Sequence, residues 1–149
     1  MTKPRVLFLS LFLFSISLSK ADDWPQFRGV NGSGIAEGTD PLPTEFSFED
    51  KMLWKAELGD GIGSAVIANG LVFNTAIVEE KTFTVFCHDG KSGKAVWKKE
   101  FPTGELPRIT PPNSHASSTP ATDGERVYVY FSTLGIIALD AKTGEEVWR

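Results

Sequence analysis

Cysteine is nearly absent from this chain: Cys87 stands alone among 149 residues. An internal disulfide is therefore excluded, and the fold must be held by packing. The neighbouring pair Cys87-His88 has no second pair to complete a four-ligand zinc site. An excess of positive charge is missing too. Lys and Arg number 15 against 19 Asp and Glu, for a net charge of −4. That balance excludes the electrostatic footprint of a nucleic-acid-binding protein. No segment shows a helical apolar period over ten or more residues. Nor is there an apolar run of the about 20 residues that a spanning helix needs.

What is present begins with a leader. "MTKPR" carries Lys3 and Arg5, Val6–Ser19 is uncharged and rich in Leu and Phe, and Ser19 and Ala21 give the small-residue pattern of a cleavage site. Residues 1–21 read as a secretory signal peptide. No cysteine near the cleavage point offers a lipid attachment site. Losing Lys3, Arg5 and Lys20 takes the net charge from −4 to −7, so the expected mature protein starts at Asp22, is acidic and is exported, periplasmic or secreted.

Residues 22–50 are rich in Gly, Pro, Asn and Asp and read as an irregular entry segment, with Trp24, Phe27 and Ile35 available to pin it to a surface. From residue 51 the texture changes. "KMLWKAEL" is β-compatible, and "SAVIA" and "LVFNTAIV" flank Asn69-Gly70, a strong hairpin signal. "TFTVFCH" and "AVWKKEF" flank "DGKSGK". A loop with four prolines then leads to "STPAT", "RVYVYFS", "LGIIALD" and "EVWR". The reading is all-β, with short strands and tight turns: a sandwich, a barrel or a propeller.

An internal repeat narrows the choice. Asp89, Gly93 and Trp97 recur as Asp140, Gly144 and Trp148, each 51 residues later, and Asn69-Gly70 recurs as Asp123-Gly124, 54 later. A period near 50 suits four-stranded propeller blades. The Asp and Ser/Thr side chains favour the bend, glycine admits a positive φ, and tryptophan supplies a large apolar face with one N–H donor. Ala138, Asp140, Thr143, Gly144 and Trp148 spell A-x-D-x-x-T-G-x-x-x-W. Cys87, Asp89, Ser92, Gly93 and Trp97 fit the same frame. This resembles the tryptophan-docking motif of the PQQ-like, quinoprotein-type propeller repeats, and "WPQFRGVNGSG" is similar to the entry of exported bacterial members. Trp54 resembles an outer-strand tryptophan, although the residues before it lack the Asp and Gly.

The resemblance implies a β-propeller of four-stranded antiparallel blades, about eight in a full ring. Two are expected here, at 64–101 and at 118–149, the latter incomplete. Either the chain is an N-terminal piece of a longer protein, or several copies assemble one ring. The resemblance also implies a docking role for the ten motif residues, with Cys87 in a small-residue packing slot. Quinoprotein dehydrogenases of the family hold PQQ with calcium, an arginine and typically a disulfide of adjacent cysteines. That cysteine pair is missing, so no cofactor is evident unless further blades supply the ligands.

The remaining chemistry is sparse. "RITPPNSHASS" places Arg108, Asn113, Ser114 and His115 in a long loop before an inner strand. Such loops are often functional, and in a propeller this one would lie near the channel mouth. Ser114-His115 has no acid partner or nucleophile elbow. "GDGIGS" and "GVNGSG" are not followed by helices, so they do not read as phosphate loops. The acidic residues match no calcium-loop spacing. Two function readings result: an exported, non-enzymatic propeller that binds protein or another macromolecule, or a piece of a PQQ-dependent dehydrogenase whose cofactor blades lie beyond Arg149.

Overall fold

The computed structural model of the chain describes residues 23–36 and 43–149. The leader expected at 1–21 lies outside the described residues, as does part of the entry segment. Two four-stranded antiparallel sheets follow one another along the chain. The first contains β1 (Val66–Ala68), β2 (Leu71–Val78), β3 (Thr82–Asp89) and β4 (Ala95–Pro102). The second contains β5 (Ala121–Thr122), β6 (Arg126–Phe131), β7 (Gly135–Asp140) and β8 (Glu146–Trp148). In both, spatial order equals chain order. Each sheet is one propeller blade, and the pair is a partial, unclosed propeller.

Local chemistry explains the hairpins. Asn69 and Gly70 both take positive φ, 51° and 77°, the conformation in which a two-residue loop matches strand twist. The three-residue difference between the two repeat offsets combines strands that are four residues shorter in the second blade with a first loop that is one residue longer, 123–125 against 69–70. β2 and β3 have eight residues each, while β6 and β7 have six. Both blades carry an irregularity at one place. Cys87 pairs with Trp97 and His88 with Ala95, stepping over Val96. Ala138 pairs with Trp148 and Leu139 with Glu146, stepping over Val147. The extra residue is a β-bulge, which re-aims the side chain beside it, here the tryptophan.

The core lies between the blades. Phe73, Ile77, Phe83, Val85, Cys87 and Phe101 of the first pack with Val127, Val129, Phe131, Ile137 and Leu139 of the second. At its centre the Phe83 and Phe131 rings stack with centroids 4.3 Å apart and planes 12° from parallel. Burying each such ring contributes about 1.5–3 kcal/mol, so this interface ties the two sheets into one body. The far side of the second blade is open. Tyr130 and Ile136 are 50% and 55% exposed, so the strand written "VYVYF" is covered on one face only.

Two expectations need correction. Trp24 does anchor the entry segment: its N–H and carbonyl pair with Ile67 at 2.8 and 2.9 Å along the free edge of β1, and Pro25 O accepts from Thr122 N at 2.8 Å. Phe27 and Ile35 do not pin it, being 61% and 68% exposed. Residues 51–58 form no strand either. A helical turn, α1 (Phe48–Lys51), is capped by Ser47, whose Oγ accepts from Asp50 N at 3.2 Å. After it the chain keeps strand-like alternation, with Trp54, Ala56 and Leu58 half-buried and Leu53, Lys55 and Glu57 exposed. A strand also needs a ladder partner, and among the described residues none pairs with this stretch before Asp60 meets Ile77.

Candidate functional site

The repeated turn is the best-defined constellation in the molecule. Asp89 Oδ1 accepts from Ser92 N at 2.8 Å and from Ser92 Oγ at 2.7 Å. Asp140 Oδ1 accepts from Lys142 N, Thr143 N and Thr143 Oγ1 at 2.9, 2.8 and 3.1 Å. These bonds hold both carboxyls below the usual carboxylate range. The following glycine amide closes each turn, Gly93 N on Asp89 O and Gly144 N on Asp140 O, at 2.8 and 2.9 Å. Both glycines take positive φ, 68° and 72°.

Each turn receives a tryptophan from elsewhere in the chain. Trp97 donates its indole N–H to Ala141 O at 3.0 Å, and its ring lies over Gly144. Trp54 donates to Gly90 O at 2.9 Å, and its ring lies over Gly93. The acceptor is in both cases the residue after the turn aspartate. A Cβ on Gly93 would sit 2.5 Å from Trp54 Cγ, and one on Gly144 would sit 2.7 Å from Trp97 Cδ2. Both glycines are thus required twice, by backbone and by ring. Trp54 therefore docks as Trp97 does, although no Asp-Gly turn precedes it. Trp148, the third tryptophan of the set, is 46% exposed.

Cys87 and Ala138 occupy equivalent sites opposite Trp97 and Trp148, and both are fully buried. Burial alone pushes the Cys87 thiol up to about 12, which removes its thiolate, and with it its nucleophile, at neutral pH. His88 is buried and lies between the rings of Trp54 and Phe86, at 6.0 and 6.2 Å. The one thiol is buried opposite Trp97, and among the described residues no three His, Cys, Asp or Glu side chains converge on an ion.

The loop candidates scatter. His115 lines a cavity of about 530 Å³ with Asp60, Glu79, Glu80, Leu106 and Ile109. Arg108 and Asn113 are exposed and outside it, and Asn113 Nδ2 is spent on Thr110 O at 2.9 Å. Ser114 is buried, and its Oγ accepts from Ala116 N at 3.1 Å. The glycines of "GDGIGS" have a packing task. A Cβ on Gly61 would meet Thr75 O at 2.8 Å, and one on Gly63 would meet Ser118 O at 2.8 Å. They let the segment before β1 run close against the backbone of β2 and of the loop before β5.

One surface escaped the sequence reading. Phe46, Phe48, Met52 and Leu53, at 73%, 81%, 49% and 84% exposure, line an apolar cavity of about 750 Å³ beside Trp54. Four large apolar residues within eight positions, none of them in a ladder, were the available signal. Among the described residues no helix is long and apolar enough to cross a membrane.

Among solved structures, the chain is similar to a europium-containing methanol dehydrogenase, with 21% identity and a TM-score of 0.41, over 58% of this chain and 15% of that one. It is also similar to BamB from Moraxella catarrhalis, with 22% identity and a TM-score of 0.34, over 60% of this chain and 36% of that one. The chain thus spans well under half the length of either. No curated protein matches it. The sequence model of the family described as outer membrane protein assembly factor BamB matches residues 46–149. That match covers more than half the chain, including both docking turns and Trp54, Trp97 and Trp148, and the chain belongs to this family of PQQ-like propeller repeats.

Proposed function

We propose that the chain is the propeller part of an exported, non-enzymatic scaffold whose business is binding protein. The observation that carries this reading is the apolar crest of Phe46, Phe48, Met52 and Leu53, held on the surface beside a docked tryptophan. Contiguous exposed apolar side chains of this size mark interaction sites. The family's description as an outer membrane protein assembly factor supports a protein partner from the membrane-assembly apparatus. Export rests on the three-part leader at residues 1–21. The scaffold reading asks nothing of PQQ or calcium, in keeping with the lack of an adjacent cysteine pair.

The test is site-specific photo-crosslinking from positions 48 and 53 of the exported full chain. A discrete adduct with an assembly protein is expected, and Leu53→Asp should abolish the adduct from position 48. Titration with PQQ and calcium should give no saturable signal. Stoichiometric quinone binding, with no crosslink from the crest, would overturn the scaffold reading in favour of a dehydrogenase.

A further inference from the structure

The cavity that His115 reaches, about 530 Å³ in volume, falls in the roughly 300–1,000 Å³ range of ligand sites. It lies beside the β2–β3 turn, at the end of the middle strands of the first blade rather than along its inner strand β1. Three segments wall it: the stretch before β1, the β2–β3 turn and the loop before β5. Backbone bonds hold each of them. Asp60 N donates to Ile77 O at 3.1 Å and Ile77 N to Asp60 O at 2.7 Å, while Thr103 N donates to Lys81 O at 2.8 Å and Ile62 N to Ala116 O at 3.3 Å. The walls are thus set before a partner arrives, which lowers the cost of binding.

The chemistry of the cavity is two-sided. Ile77 is buried, and Val78 and Leu106 are half-buried, giving an apolar floor. Asp60, Glu79 and Glu80 stand exposed around it. No cation of the chain pairs with them: the ion pairs among the described residues are Lys55–Glu57, Lys98–Glu100 and Glu146–Arg149. The two glutamates also stand where side chains are disfavoured. At φ 52° and 57°, both take a left-handed backbone that residues with a Cβ seldom adopt. The corresponding turn of the second blade has Ser132, Thr133 and Leu134, and its positive φ falls on a glycine, Gly135. The blade fold therefore does not require acid at this turn, and strain retained at a cavity mouth points to a use.

We propose that this cavity seats an arginine from a basic segment of a protein partner, with its stem on Ile77, Val78 and Leu106 and its guanidinium among the carboxylates of Asp60, Glu79 and Glu80. Charge complementarity over an apolar floor selects that side chain. Arginine carries an apolar stem beneath a charged head. Its planar fork matches carboxylate geometry and is more weakly hydrated than the ammonium of lysine. The site shares no residue with the crest at residues 46–53 and does not depend on it.

Fluorescence anisotropy on the full chain tests this, with a short dye-labelled peptide that carries a single arginine between leucine and glycine residues. Half-saturation is expected below about 1 mM. The same peptide with citrulline, a neutral side chain of the same shape, should bind at least about tenfold more weakly, the factor expected for losing a charge-assisted hydrogen bond. Glu79→Asn/Glu80→Gly should weaken the arginine peptide by a similar factor while the folded chain gains stability, because the substitution relieves the turn. A merely structural role for the glutamates would not separate those two readouts. Asp60→Asn, which leaves the backbone bonds to Ile77 in place, should weaken binding as well. Glu125→Gln/Glu145→Gln removes the same amount of charge at exposed positions outside the cavity and should bind as the native chain does. Failure of the arginine peptide to saturate overturns the proposal. So does equal binding of the citrulline peptide, or equal loss in the Glu125→Gln/Glu145→Gln control. Saturable binding of spermidine with the peptide ignored also overturns it, and names a free polyamine as the occupant.

Discussion

Replacing Gly144 with alanine isolates the contact on which the blade interface turns. Two costs are expected. At φ 72°, an L-residue with a Cβ is strained by roughly 1–2 kcal/mol. The new Cβ would also stand 2.7 Å from Trp97 Cδ2 and Cε3, so the indole must leave. Undocking it forfeits a hydrogen bond to Ala141 O, worth about 1 kcal/mol, and part of a buried ring worth about 1.5–3 kcal/mol. The sum is about 3–5 kcal/mol, a large share of the roughly 5–15 kcal/mol that a domain holds. Two other glycines separate the contributions. Gly135 has φ 81° but open space around it, so Gly135→Ala should cost only the backbone share, about 1–2 kcal/mol. Gly104 has neither constraint, and Gly104→Ala should fall within about 0.5 kcal/mol of the native chain. Urea unfolding followed by tryptophan fluorescence measures all three. If Gly144→Ala costs no more than Gly135→Ala, the docked indole is not what the glycine serves, and the reasoning fails.

Cys87→Ala should cost at most about 1–2 kcal/mol, because the equivalent slot holds Ala138; with its thiol pushed up to about 12, Cys87 should resist maleimide at pH 8 until urea unfolds the chain, as read by mass spectrometry. Asp123 is held down at about 2 by the Tyr128 hydroxyl and the backbone N–H groups of Arg126 and Glu125. A carboxyl depressed in the folded state stabilises above its unfolded value and loses that contribution as pH falls through the folded one, so Asp123→Asn should flatten the decline in urea midpoint between about pH 4 and pH 2. Glu79 and Glu80 sit at φ 52° and 57° in the β2–β3 turn, where Asn-Gly is favoured; Glu79→Asn/Glu80→Gly should raise the urea midpoint, by roughly 1 kcal/mol of stability.

The blades were legible because their turns are chemical. Asp, Ser or Thr, and Gly at fixed spacing specify a bend whatever surrounds it, so Asp89–Gly93 and Asp140–Gly144 could be read directly. Trp54 was harder. It shares the pose of Trp97 but not the turn before it, and that turn had carried the signal. Residues 51–58 looked like a strand because alternation is a property of the segment, whereas a ladder is a property of its neighbours. The glycines at 61 and 63 were visible only as a negative, since the carbonyls that crowd them come from Thr75 and Ser118, distant in sequence. Of the loop candidates, His115 reaches a cavity while Arg108 and Asn113 do not. The direction a side chain takes in a proline-rich loop is set by contacts that residue order does not encode.

Hydrogen exchange at the indole N–H groups, resolved by nitrogen-15 NMR, tests the docking account most directly. Trp54 and Trp97 donate to Gly90 O and Ala141 O at 2.9 and 3.0 Å, each with its ring over a turn glycine, whereas Trp148 stands 46% exposed and no turn among the described residues receives it. The account predicts slow exchange at Trp54 and Trp97 and near-free exchange at Trp148. Exchange at Trp97 as fast as at Trp148 would contradict it.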